Sequence, residues 1–514
     1  MGVIPQRAIG IDLGTTYSVV SYVDEFGRPH TLLNAEGEKL TPSAVLFENE
    51  EVIVGKEALK AITHHSDAVA VMAKRDFGER TFHRVIHGRM FPPEAIQAFV
   101  LNKLRIDAQQ QIGHFSKVVI TVPAYFDESR RKATQDSGYM AGFEVLDIIN
   151  EPTAAALAYG FQQGLLDANG EAAETRRVLV YDLGGGTFDV TVMELAGNEF
   201  RALSTDGDVH LGGRDWDQRI VDQCAEEFRR KYGMDVRRDE IVAGKLWREC
   251  EEAKRTLTAR KSAVIPVEYR GKSLNFEVTR EQFEDWTRDL LDRTAFTTRE
   301  ALRAAKLEWK DLDRILLVGG STRMPAVFEM LKQLSGRDPD RSVSQDEAVA
   351  HGAALHAELL LKRNQGEPPR FRVRNVNSHS LGVVGTETKS REAHNVTIIP
   401  KNTPLPAEAK RVFKTQRLGQ QSLVLQVVEG ESPVPEECSQ VGRCVCRDLP
   451  PDLPAHTPVE VHFRYEENGR LSITVSMSDG KVVLNHDMAR DNTLTQDQLD
   501  SWRDYISGQP ALID

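Results

Sequence analysis

A glycine-rich turn between two apolar segments, in residues 177–195 (RVLVYDLGGGTFDVTVMEL), most constrains how this chain can fold. The run before the turn predicts a buried strand, and the partial alternation after it is typical of a strand with one covered face. Three consecutive glycines let backbone N–H groups approach a ligand closely and form an anion-binding concavity. Asp182 and Thr187 flank them with a carboxylate for a hydrated cation and a hydroxyl for an anion. Taken alone, the pattern fits an ordinary hairpin equally well.

A second copy of the pattern lies in residues 8–23 (AIGIDLGTTYSVVSYV), where Asp12 takes the place of Asp182. The two aspartates are separated by the length of a typical domain, which implies two related halves with phosphate held between them. A third loop, residues 316–323 (LLVGGSTR), also follows an apolar run. None of the loops matches the signature G-x-x-x-x-G-K-[ST], so the chain is not a P-loop nucleotidase. The trio resembles the superfamily of actin, sugar kinases and heat-shock chaperones.

Length, charge and cysteine content narrow the class of protein. The 514 residues suggest about three domains. The net charge of −12 argues against a nucleic-acid binder, and no apolar run approaches the ~18 residues of a membrane span. The N-terminal residues carry no secretory pattern. The five cysteines include no C-x-x-C and fit no usual zinc spacing, so we expect reduced thiols and a cytoplasmic location.

Three polar features each have two interpretations. Lys74 follows a mostly apolar segment, and a lone lysine is usually a solvated side chain. Glu151 lies between a predicted strand and the alanine-rich helix 153–160, where it could be catalytic or could simply complement the helix dipole. Four polar residues within 249–259 share one helix face, which is also typical of a solvated stripe. These four are Glu251, Lys254, Arg255 and Thr258.

The last third of the sequence changes character. Residues 362–374 (KRNQGEPPRFRVR) are basic and contain Pro and Gly, which indicates a linker. Beyond them, apolar and polar residues alternate with a period of two, which predicts a separate antiparallel β domain with hairpin turns at 468–469 and 479–480. Thr495 and Gln498 then form a capping-box pattern that opens a short helix.

Seven motifs in one order closely resemble the DnaK-type heat-shock chaperones: IDLGTTYSVV, ITVPAYF, IINEPTAAALAYG, YDLGGGTFDV, HLGGRDWD, CEEAKRTL and VGGSTRMPAV. The resemblance is strong over residues 8–360 and weaker over 376–487. It implies an α/β, two-lobed, actin-like ATPase domain with duplicated ribonuclease-H-like halves at 1–361. A linker at 362–375, a β-sandwich substrate-binding domain at 376–490 and a short lid helix within 491–514 would follow. The implied activity is hydrolysis of ATP to ADP and phosphate, which controls the binding of extended apolar peptides.

The resemblance also assigns roles to single residues. Catalysis would fall to Lys74, Glu151, Asp182 and Thr187, and hydrated Mg²⁺ to Asp12 and Asp182, with potassium ions beside the phosphates. Pro123 and Arg131 would relay the nucleotide state to the peptide domain. The nucleotide would be bound by Gly14, Thr15, Thr16, Tyr17, Gly184, Gly185, Gly186, Gly212, Gly213, Glu251, Lys254, Arg255, Thr258, Gly319, Gly320, Ser321, Arg323 and Asp346.

The resemblance implies these partners: unfolded or extended apolar peptides, a J-domain cochaperone and a nucleotide-exchange factor, with no nucleic acid and no membrane.

Four departures from the family pattern qualify the expected activity and partners. The segment from Lys74 to Pro123 is about two dozen residues shorter than usual, and arginines replace an acidic, leucine-rich linker. Asp147 stands where a basic residue usually meets the J-domain. The sequence contains one helix of a normally long lid. We therefore expect weak communication between the domains and rapid peptide release.

Two other functions fit the same superfamily. A small-molecule kinase would phosphorylate a sugar in the cleft, and sugar-stimulated release of ADP would reveal it. An actin-like filament protein has the two lobes but normally no appended β domain, and light scattering that depends on concentration and ATP would reveal it. The predicted β domain and the segment NEPTAAALAYG favour the chaperone.

Overall fold

The computed structural model describes residues 7–48, 51–165, 172–386, 392–447, 449–450, 452–467, 470–477, 482–487 and 494–508. These residues form a mixed α/β fold with several sheets. Within these ranges, no helix combines the length and the apolar character needed to cross a bilayer. We describe the fold as an N-terminal part (residues 7–165), a middle part (172–364), a linker segment (365–375) and a C-terminal β region (376–487).

The N-terminal part is built around a sheet in which antiparallel and parallel pairings meet. Its elements are β1 (Ile9–Asp12), β2 (Tyr17–Val23), β3 (Pro29–Thr31), β4 (Thr41–Pro42), β5 (Ala44–Glu48), β6 (Glu51–Val54), α1 (Lys56–Ala61), β7 (Val69–Val71), α2 (Pro93–Ile112), β8 (Lys117–Val122), α3 (Glu128–Met140), β9 (Glu144–Asn150) and α4 (Glu151–Gln162). The strands lie in the order β3-β2-β1-β8-β9. β1 pairs antiparallel with β2 and parallel with β8.

The middle part repeats this arrangement. Its elements are β10 (Ala172–Leu183), β11 (Phe188–Gly197), β12 (Glu199–Asp208), α5 (Gly213–Tyr232), α6 (Glu240–Ala259), β13 (Ser262–Tyr269), β14 (Lys272–Thr279), α7 (Arg280–Trp286), α8 (Arg288–Ala304), β15 (Arg314–Val318), α9 (Pro325–Ser335) and α10 (Ala348–Asn364). β10 pairs antiparallel with β11 and parallel with β15, as β1 does with β2 and β8. The equivalent ends of β1 and β10 therefore carry Asp12 and Asp182.

The C-terminal β region consists of two antiparallel sheets that share one apolar core. Its strands are β17 (Leu381–Thr386), β18 (Ala393–Ile399), β19 (Ala407–Lys414), β20 (Leu423–Glu429), β21 (Ser439–Cys446), β22 (Pro458–Tyr465), β23 (Leu471–Met477) and β24 (Val482–Asp487), after β16 (Arg372–Arg374) in the linker segment. Their orders are β18-β17-β20-β21 and β19-β22-β23-β24. Val427 and Phe463 lie fully buried between the sheets. The hairpin turns predicted at 468–469 and 479–480 lie outside the described residues.

The linker segment is docked on the middle part. β16 pairs parallel with β12 and so extends the sheet of the middle part. Phe371 lies against Phe200 with ring centroids 5.7 Å apart, and Val376 is 4% exposed. Helix α10 continues to Asn364, so the first residues of the predicted linker are helical.

The last helix, α11 (Gln496–Ser507), packs on α2 and α3 of the N-terminal part. The predicted capping box is present, since the Thr495 side chain accepts a hydrogen bond from the Gln498 N–H. Leu499 and Ile506 are buried in the core of the N-terminal part. The Tyr139 hydroxyl donates a hydrogen bond to Asp500 at 2.5 Å. The helix therefore contributes to the core of the N-terminal part.

Candidate functional site

The two glycine-rich turns face each other and line a cavity of about 830 Å³ between the N-terminal and middle parts. A Cβ atom at Gly185 would lie 2.5 Å from the Thr16 side chain, and one at Gly186 would lie 2.5 Å from Thr15. Only glycine permits this close approach of the two turns. The repeated strand order thus brings two candidate phosphate-binding turns to one place.

The third loop packs behind the glycine-rich turn of the middle part. Gly319 has φ +82°, and a Cβ atom there would lie 2.5 Å from the Leu183 carbonyl oxygen. A side chain at this position would suffer both backbone strain and a clash. The Ser321 hydroxyl donates a hydrogen bond to the Gly184 carbonyl oxygen at 2.9 Å. The loop therefore fixes the position of the turn that it contacts.

Lys74 is a buried cation and not a solvated side chain. It lies in a turn of 3₁₀ helix (Ala73–Asp76) after β7 and is 1% exposed. Its Nζ donates hydrogen bonds to Glu151 Oε1 at 2.7 Å and to the Leu13 carbonyl oxygen at 2.6 Å. Glu151 is the first residue of α4 and is 9% exposed. The pair connects the turn after β1 with the end of β9.

Three aspartates lie close enough to Glu151 for their charges to interact. Burial and the Glu151 carboxylate raise the pKa of Asp12 to about 7 and the pKa of Asp189 to about 8. The same two causes hold the pKa of Asp182 well above its usual value. These carboxyl groups carry more negative charge than the single Lys74 ammonium neutralises, so a further cation stabilises their ionised forms.

The donor set fits Mg²⁺ held through water and phosphate. Mg²⁺ prefers carboxylate oxygens, keeps several waters and is usually bound by one or two carboxylates together with substrate phosphates. Asp12 and Asp182 supply two such carboxylates at the edge of the same cavity. Within the described residues, no three or more His, Cys, Asp or Glu side chains form a complete metal cage. The cysteines at 438, 444 and 446 are buried and unpaired.

The polar stripe on α6 lines the other end of the cavity. Lys254 Nζ donates to the Gly213 carbonyl oxygen at 2.9 Å and pairs with Asp217 at 2.8 Å. Arg255 Nη2 donates to the Tyr17 hydroxyl at 2.8 Å, which joins the middle part to the N-terminal part. Arg255 also pairs with Glu251 at 2.8 Å. The stripe is therefore not simply a solvated helix face.

Most of the residues assigned from the sequence line this one cavity. Gly186, Gly212 and Gly213 lie just behind its wall, since a Cβ atom at Gly212 would meet the Gly186 backbone. Arg131 donates a hydrogen bond to Asn150, the neighbour of Glu151. The assigned residues that line the cavity are Asp12, Gly14, Thr15, Thr16, Tyr17, Lys74, Glu151, Asp182, Gly184, Gly185, Thr187, Glu251, Lys254, Arg255, Thr258, Gly319, Gly320, Ser321, Arg323 and Asp346.

Sequence reasoning missed several residues of the site, among them Asp189 and Trp247. Asp189 is 1% exposed and accepts a hydrogen bond from the Tyr125 backbone N–H at 2.8 Å. Its signal was a carboxylate at an inward position of a buried strand. Trp247 lines the cavity four residues before Glu251, on the face of α6 that the polar stripe shares. Helical spacing from Glu251 would have found it.

The cavity has the chemistry of a nucleotide-binding cleft. Its two facing turns suit phosphate, and a buried lysine lies among carboxylates. At the far end, carboxylates hold the arginines in place. The Arg323 guanidinium pairs with Asp346 through two hydrogen bonds of 2.8 and 2.7 Å. A planar guanidinium fixed in this way offers a flat face to a purine. This two-sided arrangement is typical of proteins that bind a nucleotide between two parts of related topology.

Comparison with known proteins identifies the family. The family model described as Hsp70 protein matches residues 8–505. Chaperone protein DnaK of Thermosipho africanus is 38% identical over 478 residues, which cover 91% of this chain and 77% of that protein. Chaperone protein DnaK of Thermus thermophilus is 39% identical over 500 residues, which cover 91% of this chain and 78% of that protein. The chain belongs to the Hsp70 family.

Members of this family are ATPases and chaperones that use ATP or ADP with Mg²⁺. The matches confirm the predicted family and its ATP-dependent chaperone activity. They do not favour the small-molecule kinase or the actin-like filament protein.

Proposed function

We propose that this Hsp70-family ATPase hydrolyses ATP in the cleft between its N-terminal and middle parts, and that this hydrolysis controls binding of exposed apolar peptides by the C-terminal β region. The observation that carries the site assignment is the buried Lys74–Glu151 pair beside two facing glycine-rich turns. Each turn supplies backbone N–H groups for phosphate, and Lys74 supplies a cation.

The domain organisation that we propose is a two-lobed actin-like ATPase domain followed by a β-sandwich. The repeated pairing of β1 with β2 and β8, and of β10 with β11 and β15, supports two ribonuclease-H-like halves. Two antiparallel sheets around one apolar core support the sandwich. Extended peptides bind to such domains through a sheet edge and through pockets for alternate side chains.

The reaction is in-line attack of water on the γ-phosphate, which depends on positioning and on charge stabilisation. Glu151 and Thr187 orient the attacking water. The Lys74 ammonium, which is held by Glu151 and the Leu13 carbonyl oxygen, stabilises charge on the transferred phosphoryl group. Asp12 and Asp182 hold hydrated Mg²⁺, which when bound neutralises charge on the phosphate oxygens. Potassium ions beside the phosphates would offset the remaining carboxylate charge.

Asp182→Asn and Glu151→Ala test the site directly. We expect single-turnover hydrolysis of ATP to fall by at least ~10²-fold in each variant, the size typical of a lost positioning or electrostatic group. Circular dichroism should show a folded protein in both. The matched control is Glu300→Gln, which removes a carboxylate from an exposed pair with Arg303 on α8. Hydrolysis at the normal rate in both site variants would remove the site assignment.

The partners and the location that we propose follow the family. They are unfolded peptides, a J-domain cochaperone, a nucleotide-exchange factor and the cytoplasm. Five buried, unpaired cysteines support a reducing compartment. Pro123 follows β8 and Arg131 contacts Asn150, so both lie between the cleft and the elements that touch the β region. This position supports their role as a relay.

A further inference from the structure

His379 lies at the contact between the C-terminal β region and residues 125–128 of the N-terminal part. Its ring lies against the Tyr125 ring with centroids 4.1 Å apart. Its Nε2 is 3.1 Å from the Tyr125 carbonyl oxygen, and its Nδ1 is 3.6 Å from Glu431 Oε2. The imidazole therefore stands between a carbonyl oxygen of one part and a carboxylate of the other.

The two neighbours of the ring favour the same protonation state. The Tyr125 carbonyl oxygen only accepts hydrogen bonds, so Nε2 must carry a proton. In the neutral ring, Nδ1 would then present a lone pair to the Glu431 carboxylate. In the imidazolium, both nitrogens carry protons and both neighbours are satisfied. Glu431 is held in place by the Ser380 backbone N–H, which donates to its Oε1 at 2.9 Å.

We propose that the imidazolium form of His379 latches the β region onto the ATPase part, so that docking of the two weakens as pH rises. The inference rests on the proposed domain organisation but not on the proposed catalytic roles. It adds a pH-dependent regulation to the contact between the domains.

Other charged groups surround His379 and Tyr125, from the β region and from the middle part. Glu429 and Glu431 face it from the β region. Lys401 lies 4.6 Å from the centre of the Tyr125 ring, but its Nζ pairs with Asp206 of the middle part at 2.8 Å. Asp206 and Asp208 face Tyr125 from the middle part. Carboxylates thus outnumber the cations near the imidazole.

The sign of the pH dependence follows from these charges. Burial lowers the pKa of His379, but the Glu431 carboxylate, 3.6 Å from Nδ1, and the charge of Glu429 outweigh burial and raise the pKa above its ordinary 6.5. The docked form then binds a proton more tightly than the undocked form. The contribution of the imidazolium to docking is fully present below the ordinary pKa and is lost as pH rises through the raised pKa.

The contact also reaches the catalytic cluster. The Tyr125 carbonyl oxygen accepts from His379, and the Tyr125 N–H donates to Asp189, which lies near Glu151. Release of His379 therefore frees the residue that holds Asp189. We therefore expect undocking at high pH to loosen the contact between Tyr125 and Asp189 at the cleft.

The test measures docking of the full-length chain with bound MgATP between pH 6.0 and 8.5. Hydrogen-exchange protection factors, corrected for the intrinsic pH dependence of exchange, are followed for peptides that cover residues 125–128 and 372–374. We expect protection in the unmodified chain to fall about threefold or more over this range, since each unit of pKa difference between the two forms corresponds to at most tenfold. Constant protection would overturn the latch.

Three variants separate the latch from general weakening of the interface. His379→Gln should show low protection with no pH slope. Glu431→Gln should reduce the slope, because a neutral amide no longer favours the imidazolium, and it provides a second test if His379→Gln folds poorly. Lys401→Met removes the neighbouring ion pair and should lower protection at every pH but keep the slope.

A slope that persists in both His379→Gln and Glu431→Gln would reject the proposal. Hydrogen exchange measures docking without measuring ATP turnover. Rejection of the latch would therefore be distinct from rejection of the catalytic assignment.

Discussion

Lys74 couples two segments of the candidate cleft that are far apart in the sequence. Its Nζ contacts Glu151 and the Leu13 carbonyl oxygen, and it is 1% exposed. Lys74→Met keeps most of the volume but removes the ammonium from the cluster of carboxylates. We expect single-turnover hydrolysis to fall by at least ~10²-fold because transition-state charge loses its cation.

Calorimetry and quenched-flow measurements on Lys74→Met should separate binding from chemistry, with nucleotide affinity changing less than hydrolysis. Lys332→Met, which removes an exposed partner of Asp338 on α9, is the matched control. An unaltered hydrolysis step in Lys74→Met would place the chemistry elsewhere.

Glu94 gives the N-terminal part a pH-dependent stability. It lies in the first turn of α2 and is 8% exposed, and burial raises its pKa to about 7 from an ordinary 4.5. The folded state therefore holds a proton that the unfolded state loses first, so stability falls as pH rises from about 4.5 to 7. Above pH 7 the buried charge costs on the order of 1–3 kcal/mol.

Glu94→Gln should remove this cost. We expect the free energy of unfolding in urea to rise at pH 8 and to change little at pH 5. Glu144→Gln, at an exposed position of β9, is the control and should change neither value. An equal effect of Glu94→Gln at both pH values would show that burial of charge is not the cause.

The sequence predicted the turns well because the need for glycine in a turn is local. It could not distinguish Lys74 from an ordinary solvated lysine. The partners of Lys74 lie 61 and 77 residues away along the chain, so no spacing rule connects them. Asp189 escaped notice for the same reason, because its donor is Tyr125, 64 residues earlier. Close approach of glycines can be read from a motif, but a buried ion pair depends on the whole fold.

Among the elements, the hairpin β13–β14 shows a local signal that was overlooked. The sequence of residues 213–315 predicts mostly helices, and the helices α5 to α8 agree with that. β13 nevertheless alternates between exposed and buried positions, and the turn residues Arg270 and Gly271 both have positive φ. Two alternating runs separated by a two-residue segment that contains glycine are consistent with such a hairpin.

Helix α11 was predicted from its capping box and apolar face, but its packing partner was not. Ile506 is 1% exposed in the core of the N-terminal part, next to residues of α2 and α3. Ile506→Ala should therefore lower the free energy of unfolding of this part by about 2–4 kcal/mol, as expected for a large-to-small change in a core. Asp504→Ala, an exposed change on the same helix, is the control.

Urea unfolding, followed by near-ultraviolet circular dichroism, measures both α11 variants. A loss below about 0.5 kcal/mol for Ile506→Ala would mean that α11 is not integral to the N-terminal part.

At the scale of the whole molecule, the linker segment is docked although its sequence predicted weak docking. Phe371 and Val373 of the segment and Val376 immediately after it are apolar, and all three pack with the core around α4 and α10. Backbone pairing of β16 with β12 adds main-chain hydrogen bonds that a count of leucines does not include. Arg374 also pairs with Glu199 of β12, so an arginine of the segment contacts an acidic group of the middle part.

Communication with a J-domain cochaperone was predicted to be weak because Asp147 reverses an expected charge. By itself, the reversed charge predicts that Asp147→Arg alone partly restores stimulation. The structure changes that second expectation, because Asp147 Oδ2 lies 2.8 Å from Nε2 of His356 on α10. His356 is 7% exposed, so Asp147→Arg would leave it beside a guanidinium and would break the contact between β9 and α10.

We expect Asp147→Arg alone to gain little stimulation and to lose stability, since the largely buried His356 would lose its hydrogen-bond partner. Asp147→Arg combined with His356→Glu places a pair of opposite charges across the same contact. The double variant should fold normally and should present the arginine that the acidic residue of a J-domain attracts.

ATP turnover is measured with and without a J-domain protein that stimulates an ordinary family member. Stimulation should rise in the double variant and fall at high salt, because partly exposed charges are screened. Equal stimulation of the unmodified chain and the double variant would show that the charge at position 147 does not control this partner.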